Sequence, residues 1–159
     1  MKYIIREIKE TEYALLNDFL YEAIFIPEGV QAPPKSIIHI SELQVYVADF
    51  GKCKDDRCLV AEVDGKVAGA VWVRIMKDYG HIDDATPSFA ISLYKEYRGL
   101  GIGTKMMREM LCVLKENGYK QCSLAVQKAN YAVKMYKRVG FEIVDENEEE
   151  YIMVCDLRG

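Results

Sequence analysis

The sequence predicts a mixed α/β fold in which helices cover both faces of a central sheet, and three observations predict it. Apolar periodicity alternates between strand-like and helix-like spacing, giving the order β-α-α-β-β-β-α-β-α-β-β. Asp64-Gly65 sits between two β-rich runs, a dipeptide suited to a tight hairpin and therefore to antiparallel neighbours. In the second half strands alternate with helices, which calls for locally parallel strands. The 159 residues suit a single domain spanning 1–159, long enough to bury a core without disulfides or metal.

Taken in order, residues 3–8 read as a first strand, with Tyr3 and Ile5 in weak alternation. Thr11 is the expected cap of a helix whose apolar face carries Tyr13, Leu16, Phe19, Leu20, Ala23 and Ile24. Pro27, Gly29, Pro33 and Pro34 then impose a loop reaching to about Lys35. A second helix is expected over 41–50, ended by Gly51. Strands over 57–63 and 66–76 flank the Asp64-Gly65 turn, and residues 89–94 form a central strand after a polar stretch around Asp83, Asp84 and Pro87.

A glycine-rich turn, Arg98-Gly99-Leu100-Gly101-Ile102-Gly103, leads into a helix over 101–117. Ile102, Met106, Met110 and Leu114 form its apolar stripe, and Met107 and Leu111 widen it. A strand over 121–126 comes next. Asn130 caps a short helix that turns Val133, Tyr136 and Val139 inward and stops at Gly140. Strands over 141–144 and 151–157 close the chain around the acidic run 145–150, which reads as a solvated hairpin tip.

Bulk properties exclude several functions. A net charge of −4 argues against a general nucleic-acid binder, although a whole-chain average leaves a local basic cleft open. Residues 67–73, the longest uncharged apolar run, fall far short of the ~20 residues needed to span a bilayer. No secretory leader is visible at the start, and a soluble, cytoplasmic protein without a membrane partner is expected. Cys53, Cys58, Cys112, Cys122 and Cys155 are spaced for neither a disulfide framework nor a zinc site; reduced thiols and no metal are the expectation.

The glycine turn carries the chemistry. Glycines between a strand and a helix leave bare backbone N–H groups at a helix N-terminus, where unpaired donors and the helix dipole both favour an anion, and Arg98 adds positive charge. The ligand such a turn suits bears phosphate. A triphosphate loop needs Gly-Lys-Ser/Thr where this chain has Gly103-Thr104-Lys105, and the dinucleotide fingerprint needs two residues between its last glycines where only Ile102 intervenes. Both alternatives fail on spacing.

With Arg98, Gly101 and Gly103 at the spacing Arg/Gln-x-x-Gly-x-Gly/Ala, the chain resembles the GNAT superfamily of N-acetyltransferases. The similarity continues at Asn130 and at Met135-Tyr136-Lys137-Arg138-Val139-Gly140-Phe141, and covers roughly residues 57–157; the first fifty residues match in element order alone. The resemblance implies a mostly antiparallel central sheet with one splayed parallel strand pair. It implies acetyl-CoA as acyl donor, without a metal, its pyrophosphate on the backbone of Arg98, Gly99, Leu100, Gly101, Ile102, Gly103 and Thr104. It further implies that the strand end at Leu93 pairs with the pantetheine arm and that Asn130 touches the arm from the other side.

Transfer of an acetyl group from a thioester to a primary amine also needs a proton for the departing thiolate. The resemblance implies Tyr136 for that role, since a phenol with pKa ~10 is protonated at neutral pH. The general base stays open. Residues 89–94 contain no carboxylate, and Glu96, His81, Asp83, Asp84 or a water relay remain alternatives. Family analogy makes residues 25–39 the rim of the acceptor pocket. The acceptor itself, a small-molecule or peptide amine, is left unnamed, and a homodimer is compatible with the reading. A non-catalytic acyl-CoA-binding or sensing module is the rival interpretation.

Overall fold

The computed structural model describes residues 2–158. In chain order it contains β1 (Tyr3–Glu7), α1 (Leu15–Glu22), α2 (Ser41–Gln44), β2 (Arg57–Val63), β3 (Lys66–Arg74), β4 (Ser88–Leu93), α3 (Ile102–Glu116), β5 (Gln121–Gln127), α4 (Ala132–Val139), β6 (Phe141–Glu146) and β7 (Glu150–Asp156). The strands form one seven-stranded sheet in the order β1-β2-β3-β4-β5-β7-β6. Every neighbouring pair is antiparallel except β4 and β5. Asp64 (φ 51°) and Gly65 (φ 81°) both adopt the left-handed conformation, the requirement of the two-residue turn that matches strand twist.

Two cores form on opposite faces. Met106, Met107, Met110 and Leu114 of α3 pack with Val133 and Tyr136 of α4 over Val71, Phe89, Leu124 and Met153. Leu16 and Phe19 of α1 pack with Phe50, Val60, Ala70 and Trp72 on the other. Alternation along β4 explains the division: Phe89 and Leu93 serve the first core, Ala90 and Tyr94 the second. Ser92, buried between them, donates its hydroxyl to the Phe19 carbonyl at 2.6 Å and so fixes α1 against β4.

Two expected elements differ. Thr11 does not cap a helix; residues 10–12 form a single 3-10 turn and α1 begins at Leu15. The Glu12 carboxylate accepts the Lys9 N–H at 2.9 Å and a forked pair from Arg6 at 2.9 and 2.8 Å, which holds the chain in that turn. The helix expected over 41–50 is α-helical over Ser41–Gln44 and then proceeds in turns. There the Arg74 guanidinium takes the carbonyls of Val45 (3.3 Å) and Ala48 (2.9 Å), which a continuing helix would need for itself. Arg74 also forms a buried ion pair with Asp56 at 3.1 Å.

The feature that makes a site is the parallel pair. Between β4 and β5 the ladder consists of one register pair, Ser88 with Ser123, where the Ser123 N–H meets the Pro87 carbonyl at 3.0 Å. Beyond that point the strands run on toward Leu93 and Gln127 without pairing to each other. The Ser88 and Ser123 hydroxyls lie 3.3 Å apart at the junction, and Ser123 donates to the Gly80 carbonyl at 2.7 Å.

Candidate active site

A cleft of about 270 Å³ occupies the opening between β4 and β5. It is lined from both faces of the sheet: Leu20, Leu43 and Tyr46 on the α1 and α2 side, Tyr136 on the α4 side. The free edge of β4 faces it. Tyr94 donates its N–H to Ala68 of β3 at 3.0 Å, so strand alternation turns the N–H groups of Ile91 and Leu93 the other way, toward the absent partner.

The glycine turn lies at the end of β4. Gly99 (φ 76°) and Gly101 (φ 85°) are left-handed, and a Cβ at either would meet no atom within 4 Å. Glycine is therefore required by backbone conformation, and the turn opens onto free space. The first intrahelical bond of α3 joins the Lys105 N–H to Gly101 at 3.3 Å, leaving the N–H groups of Ile102, Gly103 and Thr104 directed out of the helix end. Gly103 differs, since its Cβ would make ordinary contacts with Leu93 Cδ1 (3.6 Å) and Met135 Sδ (3.8 Å).

Arg98 is a brace rather than a free charge beside the turn. Its N–H is spent on the Lys95 carbonyl at 3.2 Å. Its guanidinium donates to the Leu93 carbonyl at 2.9 Å and to the Glu22 carbonyl and carboxylate at 3.2 and 3.1 Å. The turn is thereby tied to the ends of β4 and α1.

Tyr136 lies 9 % exposed with its ring 6.1 Å from that of Phe141. Among the described residues its hydroxyl has no hydrogen-bond partner, and burial pushes its pKa up to about 12. Asn130 lines the same cleft. Its side-chain oxygen accepts the Ala132 N–H at 2.9 Å and its own N–H reaches Gln127 at 2.9 Å, which joins the end of β5 to the start of α4.

None of the carboxylates or histidines singled out by sequence lines the cleft. His81 Nδ1 is 2.9 Å from the Met76 carbonyl; Asp83 accepts from Ala85 and Thr86; Asp84 pairs with Lys77 at the surface; Glu96 lies in the 3-10 turn before the glycines. Of residues 25–39, Phe25 reaches the cleft among the described residues, and Leu43 and Tyr46 beyond that segment complete the rim.

Two carboxylates that sequence reasoning passed over come to the site. Glu150 lines the cleft, half-buried, with no hydrogen-bond or salt-bridge partner for its carboxylate among the described residues. Burial, then Glu149 and Asp78, push its pKa up. Asp78 accepts from Tyr46 at 3.1 Å and from Ser88 at 3.2 Å, and burial raises it against those bonds. The acidic run 145–150 is thus solvated over 145–149 while Glu150 turns inward. Its signal was strand alternation, since Glu150 shares a face with buried Ile152.

A parallel strand pair thus opens beside a glycine-lined helix N-terminus, in a mixed sheet with helices on both faces. The chain belongs to the acetyltransferase (GNAT) family, whose model matches residues 22–141. It is 29 % identical over 133 residues to an N-alpha-acetyltransferase of Sulfurisphaera tokodaii, covering 74 % of this chain and 75 % of that one. It is 36 % identical over 86 residues to the probable N-acetyltransferase camello of Xenopus tropicalis, covering 52 % of this chain and 37 % of that protein. Its fold matches that of the PaiA N-acetyltransferase from Thermoplasma acidophilum in complex with coenzyme A, with TM-score 0.72 and 19 % identity over 98 % and 99 % of the two chains. An N-acetyltransferase from Staphylococcus aureus Mu50 matches with TM-score 0.73 and 16 % identity over 99 % and 100 %. The family makes the chain an acyltransferase. Among the described residues no helix is long and apolar enough to cross a membrane, and no cluster of His, Cys, Asp and Glu could hold a metal.

Proposed function

We propose that residues 1–159 act as one N-acetyltransferase domain that moves an acetyl group from acetyl-CoA to a primary amine by direct attack in a ternary complex. The observation that carries this reading is the cleft between β4 and β5, reached by the unpaired edge of β4 and by the unpartnered Tyr136 hydroxyl. The residues fit coenzyme A. The outward N–H groups after Gly99 and Gly101, with open space where a Cβ would stand, suit a pyrophosphate. The unpaired β4 edge running from Ile91 in the cleft to Leu93 at its end suits an extended amide-bearing arm, with Asn130 in the cleft lining.

Acetyl-CoA, when bound, supplies the thioester. The N–H of Ile91 would donate toward its carbonyl oxygen as charge develops there, while that of Leu93, about 7 Å further along the edge, would pair with an amide carbonyl of the arm. Tyr136 holds the proton for the leaving sulfur. Burial raises the phenol, and the same surroundings raise a thiolate beside it, so the donor and acceptor move together. The attacking nitrogen is cationic once bonded to carbon and returns its proton to Tyr136. One C–N bond forms, one C–S bond breaks, and an ammonium substrate yields one net proton to solvent.

Thiol release from acetyl-CoA over a panel of primary amines, in wild type and Tyr136→Phe, tests the reading. The expected result is release in wild type that slows by ~10²–10⁴-fold in the variant, with coenzyme A affinity unchanged. A variant as fast as wild type removes Tyr136 from the chemistry. A wild type that neither binds coenzyme A nor acetylates any amine overturns the assignment.

A further inference from the structure

We infer that Glu150 seats the ammonium group of the acceptor and takes its proton, and that the acceptor is therefore a primary amine with a single positive charge next to an apolar substituent. The inference rests on the acetyl-transfer reading only for the fate of the amine after its proton has left; the ammonium seat stands on its own geometry.

That geometry begins with register. Glu150 lies opposite Gln127, at the end of β5 where it has parted from β4. Glu150 lies on the sheet face of Ile152, whereas Tyr136 belongs to the core on the opposite face, and the two line one cleft. A ligand in the opening thus meets a carboxylate from one side and a phenol from the other. Both are without partners among the described residues, and Tyr136 is more than nine-tenths buried while aimed into the cleft. Neither polar group is spent on a partner among the described residues, so both are available to a ligand in the opening.

The charge of that ligand is set by the groups around Glu150. Asp78 and Glu149 are the charged groups that act on it, both negative, and the Tyr46 hydroxyl is engaged by Asp78. The nearby cation, Lys128, is committed to Glu146 at 2.6 Å. Glu150 is the one charged residue among the described residues lining the cleft. An ammonium group satisfies it. The proton then passes from the ammonium nitrogen to a Glu150 carboxylate oxygen and on to solvent, leaving the neutral amine whose lone pair can attack.

Beyond Glu150 the cleft wall on the α1 and α2 side is Leu20, Ile24, Phe25 and Leu43, with Tyr46, whose hydroxyl is engaged by Asp78. A second positive charge a few bonds along would face that wall, and Glu22 beside it is already held by Arg98. The wall suits hydrocarbon.

The test is calorimetric titration of the full chain with phenethylamine, spermidine and 2-phenylethanol, each with and without coenzyme A. Phenethylamine is expected to bind wild type at least tenfold tighter than 2-phenylethanol, its uncharged counterpart, a comparison that needs no variant. Glu150→Gln is expected to lose at least tenfold for phenethylamine, with Glu150→Asp between the two. Acidification is expected to weaken phenethylamine binding in wild type and leave Glu150→Gln flat. Absence of binding to wild type, Glu150→Gln within twofold of wild type, or spermidine preferred tenfold overturns the inference. Loss of coenzyme A binding with the ammonium preference intact overturns the acetyl-CoA reading instead and leaves the seat at Glu150.

Discussion

Replacing Gly101 and Gly103 by alanine, one at a time, is expected to move stability in opposite directions, although the two stand on either side of Ile102. At Gly101 the φ of 85° is the left-handed conformation, which costs an L-residue ~1–2 kcal/mol. No atom lies within 4 Å of the added Cβ, so no steric cost accompanies it. Gly103 sits inside α3 with an ordinary helical backbone, where alanine is favoured over glycine by up to ~1 kcal/mol. Its Cβ would rest 3.6 Å from Leu93 Cδ1 and 3.8 Å from Met135 Sδ, ordinary contact that adds burial without strain. Near the helix start roughly half of that gain, ~0.5 kcal/mol, is expected. Urea unfolding without ligand reads both. The expected difference between the variants is about 2 kcal/mol, or several degrees in melting temperature for a protein of this size. Coenzyme A titration then separates conformation from occupancy, because a methyl at Gly101 enters the space assigned to the pyrophosphate and one at Gly103 does not. A Gly101→Ala variant as stable as wild type, or a Gly103→Ala variant destabilised by more than ~1 kcal/mol, refutes the backbone argument.

Asp56→Ala is expected to cost ~3–5 kcal/mol in denaturant unfolding, because it strands the buried Arg74 guanidinium and also removes an acceptor for the Gly51 N–H. Glu12, held down to about 2 chiefly by its hydrogen bonds from Arg6, stabilises the fold fully above the ordinary carboxylate range, and that contribution fades as pH falls toward 2. The pair is partly exposed, so the contribution is about 1 kcal/mol, and Glu12→Gln should flatten the acid limb of the stability curve by that amount. Tyr136→Phe is expected to change unfolding free energy by less than ~0.5 kcal/mol, since the hydroxyl has no partner to lose; a larger loss places that oxygen in a structural bond. Trp72 is fully buried and donates to the Tyr46 carbonyl at 3.0 Å, so its fluorescence should respond to amines at the Tyr46 rim more than to coenzyme A at the glycine turn.

Much of this was legible in sequence because it depends on neighbours along the chain. The hairpin at Asp64-Gly65, the stripe of α3 and the stop at Gly140 each need only local rules, and each stands as read. The glycine turn is likewise local, a strand end, two left-handed glycines and a helix start within a few residues. What escaped was set by distant partners. Arg74 cut the second helix short from 29 residues away through the Val45 carbonyl. Asp78 acquired its surroundings from Tyr46 and Ser88, on two other segments. Glu150 was concealed by composition, as the last of a run of acidic residues whose other members are solvated, and alternation with Ile152 was the one local sign that it turns inward.

The opening between β4 and β5 is intelligible only as a place that something fills. A central strand pair is a costly position to leave N–H groups without protein partners, since the lost ladder bonds are not replaced locally. The fold closes what it can: Ser123 to Pro87 at the junction, Ser92 to Phe19 behind it, and the Arg98 guanidinium on the Leu93 carbonyl at the far end. That last bond satisfies an acceptor and leaves the donors of Ile91 and Leu93 directed into the cleft. Carbonyl oxygens spaced like those of a strand suit these donors, and the amide-bearing arm of the proposed acyl donor carries such oxygens. The helix N-terminus that can hold the other end of such an arm begins where β4 ends. The helix N-terminus and the sheet opening therefore adjoin at the end of β4, and in the proposed reading the Glu150 carboxylate and the Tyr136 phenol act from either side of the sheet on what that arm delivers between them.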